Sequence, residues 1–187
     1  MGLDFARRGL RHDAGDADVM AACGLTPLQV GKEYDLGMAV LRAALKANPN
    51  SLTVVTFCGI GLLHCGSIDE ARECLLRTIR LILRDPFAHV SLCGIAQAHL
   101  MCRDYVAARD WAIQALAGSA SWSPTYWMLI AAEAHLGETG AAPQHLHHLL
   151  ALGPGVTISA IWAGQPAYDP ARMAPVFEGL RLAGMAD

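Results

Sequence analysis

The chain has 187 residues, of which 53% are hydrophobic and 17% charged, with a net charge of −3 and an isoelectric point near 6.2. Twelve of its fourteen cationic side chains are Arg, and they are scattered along the sequence, so the basic face of a nucleic-acid binder is excluded. No apolar run reaches the ~18 residues of a membrane span. The nearest, "LTVVTFCGIGLLHCG", is broken by glycines and His64, and the start, "MGLDFARRGLRHD", carries charges where a signal peptide needs an apolar segment. The six cysteines include no C-x-x-C pair and fall mostly at packed helix positions, which suits reduced thiols in a cytoplasmic protein.

Taken in chain order, residues 1–16 read as one helix with Gly9 as its small contact residue. Residues 17–50 read as a helix pair: Gly24 lies on the first helix, "GKEYD" is the turn, and "YDLGMAVLRAALKANPN" supplies Gly37, Leu41 and Ala44 before Pro49 closes the second. Residues 51–86 repeat the plan with Gly59, the turn "CGSIDE", then Ala71, Leu75 and Thr78, and a close at "RDPF". In residues 87–120 the same places hold Ala96, "CRDY", Ala108, Ala112 and Ala115. In residues 121–154 they hold Ala131, "GETG", Ala142, Leu146, Leu149 and Pro154. The second-helix anchors Gly37, Ala71, Ala108 and Ala142 are separated by 34, 37 and 34 residues. A steady period of this length marks a helical repeat array, whose units bury their apolar faces only by stacking. Small residues at the crossing of two helices let the axes approach to roughly 8 Å. Residues 155–187 break the pattern: a short segment, a turn at Pro166, and a helix from Asp169, a good N-cap with Pro170 at the first helical position. Met173, Phe177 and Leu180 of that helix are expected over the last repeat, as a cap.

These offsets resemble the tetratricopeptide (TPR) repeat over roughly residues 3–154. The family's small residue, turn residue and two alanines correspond to Gly59, Ile68, Ala71 and Thr78 in one unit, and to Ala96, Tyr105, Ala108 and Ala115 in the next. Tyr34, Gly37, Ala44 and Pro49 match the unit before. The chain departs from the family in lacking Trp at the fourth place, in Thr78 and Leu149 for Ala, and in three extra residues near Arg77 to Asp85. The resemblance implies an all-α right-handed αα-hairpin solenoid of four units (17–50, 51–86, 87–120, 121–154), a leading half unit over 1–16, and a C-terminal cap over 155–187. With its first helix missing, the chain is expected to begin mid-array, as a piece of a longer protein. The tail layout, "DP" with a closing "GLRLAG" helix, resembles the C-terminal TPR region of bacterial class III adenylate/guanylate cyclases and of related winged-helix TPR regulators.

Few residues suggest chemistry. His145 and His148 share a helix face in "HLHH", but no third zinc ligand stands at a fixed spacing, and a polar face opposite Leu146 and Leu149 explains them. His64 and Cys65 are adjacent and point about 100° apart on a helix, and His99 with Cys102 lacks an evident oxyanion site. "GIG" at Gly59 lacks the Lys of a phosphate loop. No catalytic, metal or cofactor site is expected, and the chain is read as non-enzymatic.

What remains is surface. In the TPR family the first helix of each unit lines a concave face. Carried over, that gives Thr56, Ile60, Leu63 and His64 from one unit, Cys93, Gln97, Leu100 and Met101 from the next, and Trp127, Ala131 and His135 from the last. The Lys, Arg and Asn of carboxylate-clamping TPR domains are absent here, so an apolar groove for an amphipathic helix or apolar peptide is expected. Leu63, Leu100 and Trp127 are its anchors. The partner is a protein or peptide, a helix of the parent chain included, and neither nucleic acid nor membrane. Three alternatives stand beside it: a spacer with no occupied groove, a cyclase-associated module that controls output through homodimerisation, and a metal-responsive domain that uses the histidines.

Overall fold

In a computed structural model the described residues are Asp4, 15–81 and 87–187. They form ten α-helices, and there is no strand among them. The expected leading half unit lies outside the described residues except for Asp4, Gly15 and Asp16, and the three extra residues near Arg77 to Asp85 lie partly outside. No described helix is long and apolar enough to cross a membrane.

The chain divides into two compact units, the second of which the tail leaves briefly for the first: Pro166–Asp169 belongs to the first unit, and residues 87–165 with 170–187 to the second. In the first unit, α1 (Ala17–Thr26) is capped by Asp16, whose Oδ1 accepts the backbone N–H groups of Asp18 and Val19 at 2.8 and 3.2 Å. It runs into a π-helical turn, Pro27–Gly31, which stops where Lys32 adopts a left-handed φ of 54°. Helix α2 (Tyr34–Ala47) ends ahead of Pro49, and α3 (Leu52–His64) begins from Ser51, whose hydroxyl accepts Val54 N–H. Helix α4 (Ile68–Leu81) has Asp69 and Glu70 in its first turn, where the helix dipole favours them.

Helices α1 and α2 form one hairpin and α3 and α4 another, with α3 also packed on α1 and α2. The glycines explain how closely the hairpins fit. A Cβ on Gly37 would stand 2.8 Å from the carbonyl oxygen of Gly24, and one on Gly59 2.7 Å from Leu75 Cγ. Helix α3 is buried nearly all round, through Val54, Val55, Cys58, Leu62 and Leu63.

The second unit repeats this plan with α5 (Ala88–Met101), α6 (Tyr105–Gly118), α7 (Ser123–His135) and α8 (Ala141–Leu152). Helices α5 and α6 pair, α7 and α8 pair, and α7 packs on both α5 and α6. Ala96, Ala108, Ala112, Ala115 and Ala131 are fully buried at these crossings. The first helix of three hairpins ends in the same way. After α3, Gly66 N–H bonds Leu63 O and Ser67 N–H bonds Leu62 O. After α5, Arg103 and Asp104 make the equivalent bonds, and after α7 Gly137 and Glu138 do so. The residue at the bend has a left-handed φ each time: 83° at Gly66, 61° at Arg103 and 74° at Gly137. This is the 6→1 and 5→2 pairing that satisfies the last helix carbonyls. After α8 come the short α9 (Ile158–Gly164), a 3₁₀ turn (Pro170–Met173) and α10 (Ala174–Leu182).

Candidate functional site

Helix α10 lies against α7 and α5, the first helices of the two hairpins of the second unit. Its buried face is Pro175, Val176, Phe177, Gly179 and Leu180, preceded by Met173. Each large apolar side chain so covered contributes on the order of 1.5–3 kcal/mol of burial. The closest approach is at Gly179, where an added Cβ would lie 2.6 Å from both Cα and the carbonyl oxygen of Ala131. Those are backbone atoms and cannot turn aside, so only glycine fits.

Polar contacts fix the register. His135 donates from Nε2 to the Pro175 carbonyl at 2.7 Å, which sets its tautomer, and its ring stacks on Tyr105 with centroids 4.1 Å apart. The Gln97 amide donates to the Met173 sulfur at 3.3 Å. At the far end Trp162 of α9 packs on Phe177 at 4.6 Å, and Ile158 N–H bonds the Ala186 carbonyl at 2.9 Å. Arg103 and Glu178 face each other at 3.6 Å on the exposed rim, where an ion pair contributes little.

The sequence-derived groove residues fall in two sets. Cys93, Gln97 and Leu100 on α5 and Ala131 on α7 are buried, and Met101, Trp127 and His135 are half-buried. Gln97, Ala131 and His135 touch α10 or the turn before it. This part of the face is therefore filled by the chain's own helix rather than open to solvent. Trp127 keeps its indole Nε1 enclosed and without a hydrogen-bond partner. Burial pushes the Cys93 thiol up to about 11, so it serves as a small apolar side chain.

Thr56, Ile60, Leu63 and His64 lie on α3 in the first unit, where Thr56, Leu63 and His64 are buried and Ile60 is half-buried. The Pro166–Asp169 segment covers His64: Tyr168 N–H bonds the His64 carbonyl at 2.9 Å, and the Pro166 carbonyl accepts from the His64 ring. Tyr168 also meets Tyr34 edge-on at 5.5 Å. Burial holds the His64 imidazole down to about 4, so it stays neutral. An open cleft beside this segment is lined by Tyr34, Asp35, Met38, Arg42, Cys65 and Tyr168.

The "HLHH" histidines have structural surroundings. His145 Nδ1 meets Glu133 Oε2 at 2.9 Å, the Tyr126 and His148 rings lie 5.2 Å apart, and His147 is exposed. Burial raises the Glu133 carboxyl in spite of His145 beside it. Among the described residues no three His, Cys, Asp or Glu side chains gather as a metal site.

Sequence reasoning did not find Gly179 or the Pro175 carbonyl as contact points. The one signal was a lone glycine in an apolar helix, "PVFEGLRL", the same mark that singled out Gly24, Gly37 and Gly59.

No protein-family model matches the chain, and no curated protein matches it. Solved structures do. PilF of Pseudomonas aeruginosa superposes with a TM-score of 0.69 at 22% identity, covering 96% of this chain and 77% of PilF. MamA superposes at 0.60 and 18% identity, covering 85% of this chain and 91% of MamA. YrrB, described as a TPR protein with an unusual peptide-binding site, superposes at 0.59 and 13% identity, covering 95% of this chain and 90% of YrrB. At these identities the likeness is one of fold, and the fold is the TPR type: all-α, built of stacked αα-hairpins.

Proposed function

We propose that the chain is a non-catalytic protein–protein interaction scaffold that docks an amphipathic helix on the α5/α7 face, in competition with its own α10. The observation that carries this reading is α10 itself. It occupies that face with a glycine at the closest approach, an apolar stripe behind it and one carbonyl held by His135. A partner helix with a small residue aligned with Ala131 and two large apolar residues a turn away has the same chemistry. The peptide-binding site of YrrB is a property of that protein, but it agrees in kind with this use of the fold. The further context of a cyclase's regulatory region has the tail layout of the sequence as its sole support.

The test is a chain ended at Asp169, which keeps the Pro166–Asp169 segment and removes α10. It is expected to bind a labelled peptide of residues 170–187 saturably, at least about tenfold more tightly than the full chain binds it. Trp127→Ala in the shortened chain should weaken that binding. If the shortened chain keeps its helical circular dichroism and binds no peptide, the docking reading fails.

A further inference from the structure

We propose that the open cleft on α2 of the first unit binds an arginine side chain of a partner peptide, its guanidinium paired with Asp35 and laid against the tyrosine pair Tyr34–Tyr168. The cleft measures about 410 Å³, within the range of pockets that hold small organic groups. One face of α2 supplies Tyr34, Asp35, Met38 and Arg42, which recur at helical spacing. Cys65, the C-cap of α3, and Tyr168 complete the lining. Tyr168 is 67% exposed, yet it is fixed: its N–H bonds the His64 carbonyl at 2.9 Å, and its ring meets Tyr34 at 87°. A large ring held in place and left in water is the kind of side chain through which interfaces gain affinity.

The chemistry of the lining selects the occupant. Asp35 is exposed, and among the described residues no cation pairs with it. Arg42, two turns along the helix at about 10 Å, is engaged by Glu70 at 3.6 Å. Burial pushes the Cys65 thiol up, Asp35 adds to that and Arg42 opposes it, so the Asp35 charge is felt inside the cleft. A cation entering there gains a carboxylate without displacing an ion pair, whereas an anion has to take Arg42 from Glu70 and meet Asp35. The rings decide which cation. Held edge to face at 5.5 Å they form a corner, not the cage of aromatic faces that encloses a quaternary ammonium. A guanidinium is planar: it stacks on one ring face and presents its fork of donors to a carboxylate, which a compact ammonium does not. The Met38 thioether and the Cys65 thiol add uncharged, polarizable lining for the methylene stem. The cleft is open rather than enclosed, so the side chain can enter while still attached to a peptide. None of its residues belongs to the second unit, so the site is separate from the α5/α7 face.

The experiment titrates an acetylated, amidated Gly-Arg-Gly peptide into the isotope-labelled full-length protein and follows amide shifts by nuclear magnetic resonance. Saturable shifts at Tyr34, Asp35, Cys65 and Tyr168 are expected, with half-saturation on the order of 1 mM for so small a probe. The citrulline counterpart, which keeps the shape and removes the charge, should bind at least about tenfold more weakly. Asp35→Asn should lose a similar factor for the arginine peptide, and the rest of the spectrum should stay in place because Asp35 is exposed. The proposal is overturned if the citrulline peptide binds as well as the arginine one, if Asp35→Asn binds the arginine peptide undiminished, or if the shifts gather on α5 and α7 instead. A trimethyllysine peptide that binds more tightly than the arginine one overturns the guanidinium assignment. The wild-type comparison of arginine with citrulline decides the matter even if the variant does not fold.

Discussion

At the scale of the residue, His64 and Gly179 concentrate the cost of holding the tail in place. His64 is neutral when folded, with a pKa near 4 against about 6.5 in the unfolded chain. Below pH 6.5 the unfolded chain takes up a proton that the folded one refuses. Stability is therefore fully present above that pH and is lost as pH falls toward 4, by up to about 3 kcal/mol. Urea midpoints measured across this range should show the loss, and His64→Gln should flatten it. Gly179 is the corresponding steric point. Gly179→Leu should lever α10 off Ala131, since backbone lies behind the added atoms, and amide exchange across Val176–Leu180 should accelerate by at least about tenfold. Unchanged exchange in that variant would mean that the face adapts to a larger residue and that the fit at Gly179 does not hold the helix.

At the scale of the element, the ends of the first helices are the repeated device. Gly66 at φ 83° closes α3 in a conformation that an L side chain adopts only with strain, so Gly66→Ala should cost about 1 kcal/mol in thermal or urea unfolding. Gly164, with open space around the missing Cβ and an ordinary φ, should tolerate Ala at no cost or gain up to about 0.5–1 kcal/mol. These hairpins were legible in the sequence because their signals are local: small residues at the crossings, breakers at the turns, and a period near 34 that puts Gly24, Gly59, Ala96 and Ala131 at equivalent crossings. That Gln97, Ala131 and His135 share a face was legible for the same reason, since the repeat says which helix turns inward. What covers them was not. The pairing of Gly179 with Ala131 joins residues 48 apart, outside the repeat, and no periodic signal sets that register.

At the scale of the whole molecule, the chain brings its own occupant for the face that its repeats create. The contact is apolar at its centre, with the exposed Arg103–Glu178 pair at its rim. Binding of the 170–187 peptide to the shortened chain should therefore change less than about threefold between ~0.05 and ~0.5 M salt, where screening removes most surface attraction. A steep salt dependence, read by fluorescence anisotropy, would instead place charge at the centre of recognition. A competing helix has to exceed the effective concentration of a tethered one, which for short linkers is about millimolar, so the resident helix sets a threshold for any partner.

The order of synthesis adds a consequence of the α10 contact. Helices α5 and α7 leave the ribosome before α10 has been made: 39 residue positions separate the end of α7 at His135 from the start of α10 at Ala174. At about 5–20 residues per second, that interval lasts on the order of two to eight seconds for each new molecule. During it the face exists without its lid, and a partner that meets the nascent chain competes with nothing. A complex formed at that stage would be favoured by timing, and the same partner added to the finished protein would have to displace a helix already in place.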